Sequence, residues 1–261
     1  MKLISNINDI DITPIEDIVN YHVVWFGNPL DHHVLCISSL FETQHNPCVT
    51  LWTSDTYVSH LRDVLCPMFK DKQFKVEVFR SINEGVLYPK EVEDLFWTCD
   101  DWRLDILYTY GGIYVDIDTL ALKDISWISR YRGISRWGKD DRCNSSIVSF
   151  SKGDIELLKL FNVMKTIENR KGWHRIVPNF EWSLLDIDMY CFDVEFFDCG
   201  WGGGGVGWDT FFTSIPDTNE PFNWSFMYHW HNHWTLDVRN PNTLIGTYWK
   251  KFVIDTGRLS T

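Results

Sequence analysis

Apolar positions along the first half of the chain alternate between short continuous runs and helical spacing. Residues 22–26 (HVVWF) predict a buried strand closed by Gly27-Asn28-Pro29, after which Val34, Leu35, Ile37, Leu40 and Phe41 recur at helical spacing over 31–44. Residues 48–53 (CVTLWT) predict a second strand, 56–65 a helix around Val58, Leu61 and Leu65, and 74–79 (FKVEVF) a third strand. This βαβαβ alternation is the pattern of a mostly parallel sheet covered by helices. A further helix, over about 90–110, stops at Gly111-Gly112, because glycine takes the left-handed position after a helix that other residues resist. Residues 113–117 (IYVDI) then predict a fourth strand.

The second half is less regular. Residues 146–150 predict a strand, 154–170 a helix with Leu157, Leu158, Phe161 and Met164 inward, 200–208 (GWGGGGVGW) a loop, and 225–230 a late strand. There is no internal repeat and no long polar linker. The expected class is therefore α/β, a single domain over 1–261 with a mostly parallel central sheet flanked by helices and an irregular C-terminal half. In open α/β sheets ligands sit beyond the carboxyl ends of the strands, which points to Trp25–Asn28 and Asp116–Asp118.

Composition narrows the partners. The 261 residues carry 24 Lys+Arg against 36 Asp+Glu, a net charge of −12, which argues against nucleic acid or an anionic membrane as partner. At 44% hydrophobic and 23% charged the chain is globular rather than disordered. Its 14 Trp exceed what an average chain holds, and Trp suits either a thick core or a surface that stacks on rings and sugars. The 7 cysteines include no CxxC, so neither a disulfide framework nor a cysteine zinc site is expected, and a reducing compartment is. The N-terminal stretch has no apolar signal-like core and no run of 18 apolar residues occurs, so the expected location is cytoplasmic, with no membrane segment.

The first candidate for chemistry is Asp116 with Asp118. On a strand these carboxylates face one side together with Tyr114, while Val115 and Ile117 face the core. Two such acids near a strand end form a hard-oxygen site suited to Mg²⁺ or Mn²⁺, with remaining ligands from water or a substrate phosphate. The triplet by itself decides nothing, since roughly two Asp-x-Asp matches arise by chance in a chain of this composition. Asp9/Asp11 and Asp186/Asp188 match it too. Context selects the middle pair, which follows a helix stopped by Gly-Gly and opens from a buried strand. Upstream, Asp100 and Arg103 share one helical face and can pair or grip a ligand together.

The run Asp100, Arg103, Leu107 and Tyr110 through Asp118 closely resembles the DXD sugar-binding region of glycosyltransferase family 32 and the clostridial glucosylating toxins. That resemblance implies a GT-A-like fold, with a nucleotide-binding half at about 20–120 and an acceptor and closing half at about 121–261. It implies that Asp100 and Arg103 hold sugar hydroxyls beside Tyr114. Asp116 and Asp118 would then reach a divalent metal, Mn²⁺ or Mg²⁺, on a nucleotide diphosphate. Residues 22–28 (HVVWFGN) resemble the opening strand of the same families, which implies that Trp25 stacks on the uracil of UDP. Residues 228–234 (YHWHNHW) are similar to their C-terminal closing segment, with a His where Ser is usual. This implies His229 as a metal ligand, with His231 and His233 open as alternatives, and Trp234 over the diphosphate. Cys143-Asn144-Ser145-Ser146 resembles the segment in which a small polar residue, here Asn144, meets the donor sugar.

The function so implied is metal-dependent transfer of a hexose from a nucleotide sugar, a UDP-sugar first, to a hydroxyl of a glycan, protein or small-molecule acceptor, with retention. Asp100, Arg103 and Asp118 are the catalytic candidates. Glu181, Asp186, Asp188 and Asp209 are unranked candidates for acceptor contact, and Gly202–Gly205 is read as a flap or turn near the acceptor. Two rivals stand beside this. A Trp-rich surface suits a non-catalytic glycan-binding protein. Three alternating histidines suit a zinc hydrolase, in which imidazoles on one strand leave a fourth metal position open.

Overall fold

The computed structural model describes residues 2–80, 95–136, 143–159, 187–199, 209–213 and 225–259, and for 95–101 the backbone alone. The expected alternation is present. Strand β1 (Lys2–Ile4) precedes β2 (Val19–Val24), α1 (Asp31–Thr43), β3 (Pro47–Thr53), α2 (Val58–Leu65) and β4 (Phe74–Val78). Helix α3 (Leu95–Tyr110) leads into β5 (Gly112–Val115), and β6 (Thr119–Ala121), β7 (Gly133–Arg136), β8 (Cys143–Phe150) and β9 (Tyr190–Phe192) follow. Short helices α4 (Val194–Phe197) and α5 (Thr210–Thr213), strand β10 (Met227–His229) and helix α6 (Leu244–Trp249), which runs on into a wider helical turn at Lys250–Ile254, come after these.

Eight strands form one sheet in the order β1-β9-β7-β8-β5-β2-β3-β4. Its pairings are parallel except at β7–β8 and β8–β5, so the central sheet is mostly parallel, as the sequence predicted. β6 and β10 pair antiparallel in a separate ribbon, with Thr119 opposite His229. Alternation along β5 divides the core into two layers. Ile113 and Val115 pack into the layer that holds Leu35, Leu40 and Leu61 of α1 and α2. Tyr114 packs into the other with Leu104 and Leu107 of α3. Each fully buried aliphatic side chain contributes about 1.5–3 kcal/mol.

The α3–β5 junction fixes where the site falls. Gly111 has φ +68° and donates its N–H to the Leu107 carbonyl at 2.8 Å, closing the helix with a left-handed cap. Gly112 has φ +110°, and a Cβ there would lie 2.4 Å from the Asn20 carbonyl oxygen of β2. His22 of β2 secures the same junction. Its Nε2 lies 2.8 Å from the Gly111 carbonyl and its Nδ1 accepts from Trp52 Nε1 at 3.1 Å, which sets a neutral imidazole with the proton on Nε2. Burial presses the His22 pKa down to about 4, against the support of the Gly111 carbonyl.

Several boundaries differ from the sequence reading, among them the strand predicted at 146–150, which spans Cys143–Phe150. The first strand starts at Val19 and ends at Val24, so Trp25 stands beyond its end. The fourth strand ends at Val115, not at 117, because Asp116 leaves the ladder and 117–118 form a turn. The late strand spans only 227–229 and joins β6 rather than the main sheet. The region 160–170 of the predicted helix and the loop 200–208 lie outside the described residues. Among the described residues no helix is long and apolar enough to cross a membrane.

Candidate active site and metal centre

Asp116 and Asp118 stand just past the carboxyl end of β5, beside the end of β2, where the sequence reading expected a ligand site. They come together through the turn after Val115 rather than by alternation along a strand. The Asp116 N–H donates to the Ser146 carbonyl at 2.7 Å, and its own carbonyl accepts from Thr119 Oγ1 at 2.7 Å, closing the turn. Its carboxylate accepts from the Tyr114 hydroxyl at 2.8 Å and lies 3.3 Å from Arg103 Nη2.

Arg103 is buried. Its guanidinium sits 4.8 Å from the Tyr114 ring centre and donates to the Ser145 carbonyl at 2.8 Å and to the Ser145 hydroxyl. Burial raises the pKa of Asp116 and the neighbouring Asp118 charge adds to this, while Arg103 opposes both. Arg103 therefore fixes the orientation and the charge of Asp116. Asp100 lies on α3 one turn earlier, and its side chain is outside the described residues.

Asp118 faces the closing segment. Its Oδ2 lies 3.1 Å from His229 Nε2 and accepts the Asn232 N–H at 2.7 Å, and its carbonyl accepts the Trp230 N–H at 3.1 Å. Burial disfavours both charges, but the His229–Asp118 attraction outweighs it: His229 is raised and Asp118 lowered, so the two form an ion pair. Donor atoms of Asp116, Asp118 and His229 all lie within 4.8 Å of one another. Two carboxylates and one imidazole suit a divalent cation, and the imidazole favours Mn²⁺ over Mg²⁺, which prefers oxygen. The proposed ligand set is thus brought together by residues 111 positions apart in the chain, with a proton on His229 supplying the balancing charge.

The three histidines do not line one strand as the zinc-hydrolase rival requires. β10 ends at His229, and His231 and Asn232 then take left-handed backbone (φ +48° and +60°). His231 folds back so that its ring stacks on His229 at 3.8 Å, and among the described residues His233 belongs to neither group able to hold a metal. The partner of His231 is Asp198, 2.8 Å from Nε2, a residue the sequence reading did not single out. No local signal marks it, since it is one acid after an apolar run and its role arises from contact with a segment 30 residues on.

Trp25 and Trp234 meet beyond β2, their ring centres 5.3 Å apart, with His33 4.1 Å from Trp25. The Trp25 indole donates to the Asn28 carbonyl at 3.0 Å and remains partly exposed. Asn144 is buried in β8 and accepts the Ser146 N–H at 2.9 Å, while the adjacent Ser145, not Asn144, contacts Arg103. Asp188 pairs with Arg132 at 3.0 Å, Asp209 is half-buried before α5, and Glu181, Asp186 and Gly202–Gly205 lie outside the described residues.

Comparison with known proteins bears on the fold and on the region that holds the acid pair. Residues 31–142 match the family model of the glycosyltransferase sugar-binding region containing DXD motif. Among solved structures, the apo-form glycosyltransferase GlyE of Streptococcus pneumoniae TIGR4 is similar over 91% of this chain and 60% of its own, at 11% identity and TM-score 0.54. The apo structure of the bifunctional glycosyltransferase WbbM is similar over 85% of this chain and 47% of its own, at 13% identity and TM-score 0.51. The chain therefore spans about half to three fifths of the length of these proteins. No curated protein matches its sequence. Residues 31–142 are thus similar to the DXD-containing sugar-binding region of glycosyltransferases, and the chain shares its fold with solved glycosyltransferases.

Proposed function

We propose that this chain transfers a hexose from a UDP-sugar to an acceptor hydroxyl, with Mn²⁺ held by Asp116, Asp118 and His229. The observation that carries the proposal is the convergence of those three side chains within 4.8 Å at the carboxyl end of β5. A divalent cation there supplies positive charge to the departing diphosphate. The chain's own residues do the rest. Arg103, anchored by Ser145 and Tyr114, holds Asp116 in place without using its carboxylate's whole capacity. Trp25 and Trp234 offer indole surface at the mouth of the site for the base and the diphosphate. Asp100, three positions before Arg103 in the sequence, is assigned the sugar hydroxyls, and burial of Asp118 and His229 keeps water from the reacting end.

Thermal unfolding tests the reading. A UDP concentration near 100 times its Kd adds about 2.7 kcal/mol to a protein that binds it. For a chain of this size that moves the midpoint by roughly 5–10 °C. The shift is expected with Mn²⁺ and not with EDTA, and is expected to vanish in Asp116→Asn and Asp118→Asn. UDP stabilisation of equal size without metal, or retained in Asp118→Asn, defeats the assignment.

A further inference from the structure

His229 faces two ways. Its Nε2 points to Asp118, and its Nδ1 lies 3.9 Å from Asp198 Oδ2 on the opposite side. Asp198 follows α4, with its N–H on the Val194 carbonyl at 2.8 Å, and its carboxylate is almost fully buried. A buried carboxylate oxygen without a hydrogen bond is costly, yet among the described residues Asp198 Oδ1 has none, and nor does His229 Nδ1. Both atoms belong to a second convergent group, Asp198, His229 and His231, whose donor atoms lie within 4.8 Å of one another. His231 reaches it only by adopting φ +48°, an uncommon conformation for a non-glycine residue.

We propose that Asp198, His229 and His231 form a second metal site, which takes Zn²⁺ and competes with Asp116 and Asp118 for His229. Two imidazoles and one carboxylate are the donor set zinc prefers, with a fourth position left for water. Around a tetrahedral ion with bonds of about 2.0–2.1 Å the ligand atoms stand about 3.3 Å apart. The observed separations of 2.8 Å for His231–Asp198 and 3.9 Å for His229–Asp198 bracket that value, so small rotations complete the set. The competition follows from the imidazole itself. Neutral histidine has one lone pair, so His229 ligates either through Nε2, with its Nδ1–H toward Asp198, or through Nδ1, with its Nε2–H toward Asp118. Zinc at the second site thus removes a ligand from the first. The zinc site rests on these three side chains alone, and only the competition rests on the manganese assignment above.

The test uses the metal-free full chain, titrated with Zn²⁺ against a chromophoric chelator and separately with Mn²⁺ followed by the electron paramagnetic resonance of the free ion. One zinc is expected per wild-type chain, bound at least about tenfold more weakly in His231→Asn and Asp198→Asn. Asp116→Asn is expected to keep zinc and lose manganese, and His231→Asn to keep manganese and weaken zinc, with zinc displacing manganese from wild type at a concentration at least about tenfold lower than from His231→Asn. Co²⁺ should give intense tetrahedral visible bands in wild type that His231→Gln lacks, with near-ultraviolet circular dichroism confirming that the variant is folded. Absence of zinc binding by wild type, or zinc lost in Asp116→Asn and retained in folded His231→Asn and His231→Gln, overturns the site. Zinc bound as described by a chain that takes no manganese supports the site and overturns the competition together with the manganese assignment.

Discussion

Acidification should destabilise this protein through His22, which secures the α3–β5 junction. In the folded chain His22 is neutral, with Nε2–H directed to the Gly111 carbonyl and Nδ1 accepting from Trp52. A second proton on Nδ1 would set two donors against each other in a buried place. Its pKa is about 4 folded, against 6.5 for an ordinary histidine. Above pH 6.5 neither state holds the extra proton and the stabilisation is complete. As pH falls below 6.5 the unfolded chain takes the proton first, and stability is lost until the folded form also protonates near pH 4. The difference of about 2.5 pH units corresponds to about 3 kcal/mol in full, and to about 2 kcal/mol by pH 5. Urea unfolding at pH 7.5, 6.5, 5.5 and 5.0 measures it, compared with His22→Gln, which keeps one donor and one acceptor but does not titrate. The wild-type stability should fall about 2 kcal/mol further than the variant's between pH 7.5 and 5.0. Parallel curves would refute the reasoning. His33, whose pKa burial lowers to about 3, falls in the same window for both proteins and cancels in the comparison.

Other outcomes follow from the junction and the site. Gly112→Ala should cost about 3 kcal/mol or more, from positive φ and the approach to the Asn20 carbonyl, read as a midpoint drop of roughly 6–12 °C. Arg103→Met should cost about 3 kcal/mol by leaving Asp116 buried without its cation, and Arg103→Met/Asp116→Asn should recover most of it. A double variant no more stable than the single would show that the pair does not matter. Trp25→Ala should weaken UDP binding by roughly tenfold to a hundredfold in calorimetry while Mn²⁺ binding stays unchanged.

The first half of the fold was legible because β2, β3, β4, α1 and α2 each carry their own period, and Gly111-Gly112 punctuates the next helix with residues that few alternatives can replace. β1, β6, β7 and β9 were not, since segments of three or four residues hold too little pattern to stand out from loops. The carboxylate pair was legible through context, and the structure adds what context lacks: the strand stops at Val115 and a turn gathers the acids. Arg103 was visible as a helical neighbour of Asp100, yet its contacts with Ser145 and Asp116 cross from α3 to β8 and to the turn after β5, which no local spacing encodes. Asp198 was invisible for the same reason. His231 was seen but placed on a strand, because alternation along a sequence cannot reveal the left-handed turn that reverses its ring.

The β6–β10 ribbon has a mechanical consequence. Met227, Tyr228 and His229 are laced to Ala121, Leu120 and Thr119, and Thr119 directly follows the second acid. A hinge that swung the imidazole outward would first have to unzip those rungs, so substrate cannot be admitted by swinging that side chain's backbone alone. Amide exchange along the ribbon should therefore be slow with or without ligand.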